Sequence, residues 1–450
     1  MKTNTIKEPA RDIPVWDEFD LVVVGGSCTG VFAAVRASRL GLRVAIVEKQ
    51  NCFGGVATAA CVNIWHSLTD TLYERTIIGG LTREVIDRLA TRDAVLESRN
   101  RNSAFAMNTE ELKIELDELV MGHGITPYLH SFYVAPVVED NQLVAIIIEN
   151  KNGRGAIRGR TFIDATGDAD LALDLELPSF EPDSLQPPTT CAKIQGFGTL
   201  GDFDWQKAIR EHGTEFGLDP DWGWGGPIPD LNDIALRADT HVFGCNTSDG
   251  EQLSRAEMEG RRQVRAIMDL IRKYGPADSH IALIDLAATI GARETTRIAG
   301  SYRLTGDDVL HGVRFDDAIA NGTYRVDIHH ADGPGITFRY LDGTEVMIPE
   351  RGANAVKKRW RDPVEVDPTF YQIPWRCLLQ DRIPNLVLAG RMLDADKTAF
   401  SAVRVMVNMN QTGEAAGVAC AIALKKGLPV QMLDPADIRK TLADGGSIII

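Results

Sequence analysis

The chain has 450 residues, 44% hydrophobic and 25% charged, with a formal net charge of −15. This is the make-up of a soluble globular protein of about two or three domains, and the acidic balance argues against nucleic-acid or anionic-membrane partners. No apolar run approaches the roughly 18 residues of a membrane span, and the N-terminus lacks the apolar core of a signal peptide. Seven cysteines at irregular spacings do not make a disulfide framework and point to reduced thiols in the cytoplasm.

Residues 1–17 read as a polar surface leader. Leu21–Val24 is a fully apolar strand of the kind buried in a parallel sheet. Val31–Leu40 reads as a helix, with Ala33, Ala34 and Ala37 allowing close packing, and Arg43–Glu48 as the next strand. Together they form a β-turn-α-β unit. Gly25, Ser27 and Gly30 take the three positions of a G-x-G-x-x-G fingerprint, with Gly26, Cys28 and Thr29 between them. Gly25 makes the turn and Gly30 lets the helix approach the sheet. Ser27 replaces the glycine that normally admits a pyrophosphate. Its hydroxyl is expected to donate to a phosphate oxygen, and the N–H groups at the helix start to hold the diphosphate. Cys28 is expected to fill space. Glu48 stands where a carboxylate receives a ribose 2′-OH, followed by Lys49. NAD and FAD share this half-site.

Beyond Gly55 the pattern weakens. Leu81–Arg88 reads as a helix. Asn108 and Glu111 suit a capping box before a helix with Leu112, Leu116, Leu119 and Val120 on one face, ended by Gly122 and Gly124. Strands follow at Ile125–Val134, Leu143–Glu149 and Ala156–Asp164. Four prolines between Pro178 and Pro188 mark a boundary. The pattern returns from Tyr371, with a strand at Asn385–Ala389 and one long buried helix over Ser401–Leu424. The expected division is a cofactor domain from 18–177 (with 56–106 inserted) and 371–430, a cap over 178–370, and a tail at 431–450.

Four segments carry a family resemblance: the fingerprint with EKQNCFGGVAT after it, residues 143–172, residues 291–309, and residues 371–423. The chain resembles FAD-dependent oxidoreductases related to fumarate-reductase flavoprotein subunits and the heterodisulfide reductase A subunit. Ser27 departs from the family's usual glycine. The resemblance implies an α/β fold: a Rossmann-like, glutathione-reductase-type FAD-binding domain with an inserted α+β cap. It also implies FAD held by Gly54 and Gly55, by Tyr133 and Val134 ending a strand near adenine, and by Thr166, Gly167 and Asp168. Gly390, Arg391 and Asp394 or Asp396 would lie near the ribityl chain. Gly413, in a helix begun by QTGEAAGVACA, would lie near the flavin.

A hydride donor that loses a proton needs a nearby base, for which His66, His329 and His330 are candidates. Arginines bind carboxylates or polarise carbonyls. Arg404 is a charge inside an apolar stretch and the strongest candidate; Arg376 and Arg293 follow. No cysteine pair or His-rich motif has metal-ligand or disulfide-reductase spacing. The expected function is hydride transfer from a small organic substrate onto flavin N5, with reoxidation by oxygen, quinone or a carrier protein. The alternatives are a monooxygenase using NAD(P)H and a non-catalytic FAD sensor or electron-transfer subunit. A homodimer is the default assembly.

Overall fold

The computed structural model describes residues 5–98 and 104–450. The first four residues of the polar leader, and 99–103 of the 56–106 insertion, lie outside them. The central sheet has seven strands. Its parallel part runs Thr126–Tyr128, Val44–Val47, Val15–Val24, Gly153–Asp164 and Leu386–Leu388. Gln142–Asn150 and Phe132–Glu139 continue it antiparallel. Alternate residues feed two cores. Leu21, Val23, Val44, Ile46, Ile163 and Val387 face one side. Val22, Val24, Ala45, Val47 and Leu386 face the other. A parallel sheet covered on both faces reads as continuous apolar runs for this reason.

The first strand starts at Val15, earlier than the apolar run, because Val15 and Asp17 already pair with Ala156 and Ile157. Polar residues there sit on a half-covered stretch. The fingerprint helix, Cys28–Arg39, packs on the helix Met406–Lys426. A Cβ on Gly413 would stand 2.1 Å from the Thr29 carbonyl oxygen, and one on Gly417 would stand 2.2 Å from that of Ala33. Only glycine permits this approach.

The expected single helix over Ser401–Leu424 is two, Lys397–Val403 and Met406–Lys426. Val405 is extended, at φ −68° and ψ 148°, so the chain turns at Arg404–Val405. QTGEAAGVACA is therefore helix interior, not a helix start. Asn108 caps Thr109–Gly122 by accepting from the Glu110 amide at 3.1 Å rather than through the expected box.

Between the proline-rich stretch and Tyr371 lie two antiparallel four-stranded sheets. One comprises Trp224–Ile228, Leu231–Ala238, Ala192–Gln195 and Ala282–Leu286, covered by helices Trp205–His212 and Gly250–Tyr274. The other runs Val326–His329, Ile336–Arg339, Thr344–Ile348 and Val356–Arg359. Ala318–Gly322 pairs with Tyr371–Pro374. Among the described residues no helix is long and apolar enough to cross a membrane.

Candidate active site

The fingerprint turn leaves the first strand at Gly25, whose φ of +100° suits glycine. A Cβ there would stand 2.4 Å from the Ala165 carbonyl oxygen; one on Gly26 would strike Phe53 and Glu48. Ser27 is the N-cap of Cys28–Arg39: its Oγ accepts from the Gly30 amide and donates to the Ala165 carbonyl, both at 3.4 Å. The serine thus serves the helix start. The first N–H groups of that helix point outward without intrahelical partners, which suits an anion.

Glu48 accepts from the Gly26 amide at 2.7 Å and from the Gln50 amide at 2.8 Å, fixing a buried carboxylate whose remaining lone pairs suit a ribose diol. The Gly54 amide donates to the Gly26 carbonyl at 2.8 Å, and Gly54 and Gly55 both have positive φ. Cys28 lies behind this turn, its thiol pushed up to about 12 by burial, so it is inert packing. Lys49 is exposed at the rim.

Tyr133 and Val134 begin the strand Phe132–Glu139 rather than end one. The pairing skips from Tyr133 to Ala135, so Val134 bulges out of the ladder with its backbone groups free for a ligand edge. The Tyr133 hydroxyl is buried without a partner.

At the C-terminal end of the parallel strands, Asp164 accepts from the Thr166 amide at 3.0 Å and its hydroxyl at 2.7 Å. Gly167, at φ +83°, passes beside Arg391, which pairs with Asp168. Gly390, at φ +109°, donates to the Thr412 hydroxyl at 3.2 Å. Asp394 accepts from Gly300 N and Arg303, and Asp396 from Gly306 N and the Ala399 amide it caps.

A second group of polar side chains gathers beside the helix break. Asp327 accepts from the Tyr324 hydroxyl. Its Oδ2 lies 3.7 Å from Arg404, and its Oδ1 lies 3.6 Å from His329 Nε2. Both separations are longer than a hydrogen bond. Asp327 Oδ1, His329 Nδ1 and Arg404 Nε are buried without hydrogen-bond partners. The His66 ring lies 3.9 Å from that of Tyr324. Burial, then Arg325 and Arg404, hold the His66 pKa down to about 3. Burial and nearby Arg293 likewise keep His329 well below the usual histidine range.

A model of the family of FAD dependent oxidoreductases matches residues 20–442. The chain belongs to this family. Over 54 residues, 12% of the chain, it is 43% identical to a dihydrolipoyl dehydrogenase of Trypanosoma brucei brucei, and the match spans 10% of that protein. Two solved structures each align over 95% of the chain. A geranylgeranyl bacteriochlorophyll reductase-like protein of Thermoplasma acidophilum is 11% identical, with 83% of it covered and a TM-score of 0.45. A p-nitrophenol 4-monooxygenase of Pseudomonas putida is 10% identical, with 85% of it covered and a TM-score of 0.46.

As an FAD-dependent oxidoreductase the protein uses FAD, and its residues fit the cofactor: a fixed buried carboxylate, a glycine turn with no room for Cβ, an open helix start and a bulged strand. Among the catalytic candidates, the fold brings Arg404, His329, His66 and Arg293 into one polar cluster, called the chamber below. His330 turns to the Thr337 hydroxyl at 3.0 Å. Arg376 lies elsewhere, 4.5 Å over the Tyr302 ring and largely exposed, and is corrected to a surface residue. Gly413 packs on the Thr29 backbone of the fingerprint helix. Asp221, His241, Tyr324, Asp327 and Gln186 were not visible as candidates, because each is an ordinary polar residue until the fold assembles them. Asp327, two residues before His329 in an otherwise apolar strand, was the one available hint.

Proposed function

We propose that this FAD-dependent oxidoreductase takes a hydride from a small organic substrate seated among Arg404, Arg293, His329 and His66. The observation that carries the proposal is the trio of buried, partnerless atoms, Asp327 Oδ1, His329 Nδ1 and Arg404 Nε. Buried polar groups are nearly always satisfied, so three left open in one chamber await a ligand. Bound FAD supplies a two-electron acceptor. Asp327 on the Nε2 side favours the His329 tautomer with a bare Nδ1, which is free to take a substrate proton. Arg404, held loosely by Asp327 and by Gln186 at 3.4 Å, can rotate onto a substrate oxygen. The narrower kinship with fumarate-reductase and heterodisulfide-reductase flavoproteins, a cytoplasmic setting with seven free cysteines, and a homodimer passing electrons to oxygen, quinone or a carrier belong to the same proposal.

The test is an anaerobic screen for compounds that bleach the bound flavin. With a bleaching compound in hand, His329→Gln and Arg404→Gln should each slow bleaching about 100-fold or more while flavin content holds. Unchanged rates would sink the assignment. Consumption of NAD(P)H only when substrate is present would replace the hydride route with monooxygenation.

A further inference from the structure

Asp221 and His241 are buried beside this chamber and have no part in the chemistry above. The His241 Nδ1 faces Asp221 Oδ2 within hydrogen-bond distance, and its Nε2 lies 3.2 Å from an Arg293 terminal nitrogen. Gln263 clamps the His241 backbone, donating to its carbonyl at 2.9 Å and accepting from its amide at 3.0 Å. Asp221 also accepts from the Gly335 amide at 2.8 Å, in the hairpin after His329, and from the Trp222 amide at 2.7 Å. A guanidinium can only donate, so Nε2 accepts and Nδ1 carries the hydrogen toward Asp221. Burial lowers the His241 pKa, in keeping with a neutral ring.

Arg293 is thereby aimed, and Asp327 and Asp221 act on it only through space, without a hydrogen bond. Among the described residues its hydrogen-bond partners are the Pro187 carbonyl, the Thr189 hydroxyl and His241 Nε2, all uncharged. Arg404 adds a second cation nearby, and burial with that charge lowers Arg293 to about 10. The rings of His241 and His329 are 4.9 Å apart, and the charge of Arg293 acts on His329. A half-buried guanidinium with no carboxylate in hydrogen-bond contact is under-satisfied, and a planar oxyanion is its natural partner.

We propose that Asp221 and His241 position Arg293 as the anchor for a carboxylate on the ligand of this chamber. The inference rests on the chamber being the substrate site.

The experiment uses the FAD-loaded protein labelled with ¹⁵N at its nine histidines, followed by NMR during titration with acetate. His241 should show the Nδ1–H tautomer, and acetate should shift the His241 and His329 signals saturably. Arg293→Gln should abolish the shift. Asp221→Asn and His241→Asn should weaken acetate about tenfold or more, whereas His241→Gln, whose side-chain oxygen reaches the Nε2 position, should stay within about threefold. The opposite tautomer, no saturable shift in the wild type, or Asn and Gln variants that both bind like the wild type would each overturn the proposal. The first two need no variant to fold. Full flavin content without an acetate shift removes the anchor and leaves the proposed function standing. An acetate shift without any bleaching substrate does the reverse.

Discussion

His66 shows how a single side chain couples the chamber to pH. In an unfolded chain its pKa is about 6.5; in the fold, burial followed by Arg325 and Arg404 brings it to about 3. The unfolded state therefore binds more protons throughout that interval. The stabilisation from a neutral His66 is complete above pH 6.5 and is lost as pH falls toward 3. A single such group contributes a slope approaching about 1.4 kcal/mol per pH unit. His66→Gln keeps a polar group and removes the titration, so denaturant midpoints of the variant and the wild type should converge between pH 6 and pH 4. Parallel curves would mean that the ring is neither desolvated nor repelled by Arg325 and Arg404. Burial, followed by Arg293, likewise keeps His329 neutral at ordinary pH.

At the scale of elements, the crossing of Cys28–Arg39 and Met406–Lys426 decides how firmly the fingerprint turn is held. Gly417→Ala would place a methyl 2.2 Å from the Ala33 carbonyl oxygen, in backbone that cannot yield without the helices separating. Overpacking of this kind costs about 1–3 kcal/mol. Gly122→Ala, at a helix end with open space around it, should be neutral or gain up to about 1 kcal/mol. Thermal melts read both, and equal melting temperatures for the two variants would refute the packing account. The β-turn-α-β unit was legible in sequence because its strands are apolar throughout and its spacing is short. The break at Arg404–Val405 was not, since apolar content is continuous across it and no glycine or proline marks it. The real signal was the arginine itself, a charge that a buried helix would not carry in its middle. Asp221 and His241 stayed hidden for another reason: they meet Arg293 only after three separated segments are folded together.

At the scale of the whole molecule, residues 447–450 tie distant parts of the chain to one another. The Ser447 hydroxyl accepts from Arg36 at 2.7 Å and donates to Glu414 at 3.3 Å, joining the two crossed helices. Arg36 and Glu414 are themselves a buried ion pair at 2.7 Å, and Glu414 also accepts from the Leu81 amide at 3.2 Å. Farther along, the Ile448 carbonyl accepts from Asn321 at 2.9 Å, and that of Ile450 accepts from Gln372 at 3.0 Å and Arg439 at 3.3 Å. The segment thus links the fingerprint helix to the strand pair Ala318–Gly322 and Tyr371–Pro374, which leads toward Tyr324 and Asp327. Deleting residues 447–450 would open Arg36 and Glu414 to water and take one of two acceptors from each of Asn321 and Gln372, which keep the Ile77 carbonyl and Asn321 Oδ1. At about 1 kcal/mol for each lost bond, the sum is on the order of 3–5 kcal/mol, and the melting temperature should fall by on the order of 5 °C. Because Arg36 belongs to the helix whose first turn is proposed to hold the diphosphate, flavin release should move down together with unfolding. Monitoring flavin fluorescence and far-ultraviolet circular dichroism in one heating experiment separates the outcomes. A joint shift supports the tie, a shift in unfolding alone confines it to the strand pair, and no shift in either shows that the crossed helices hold without it.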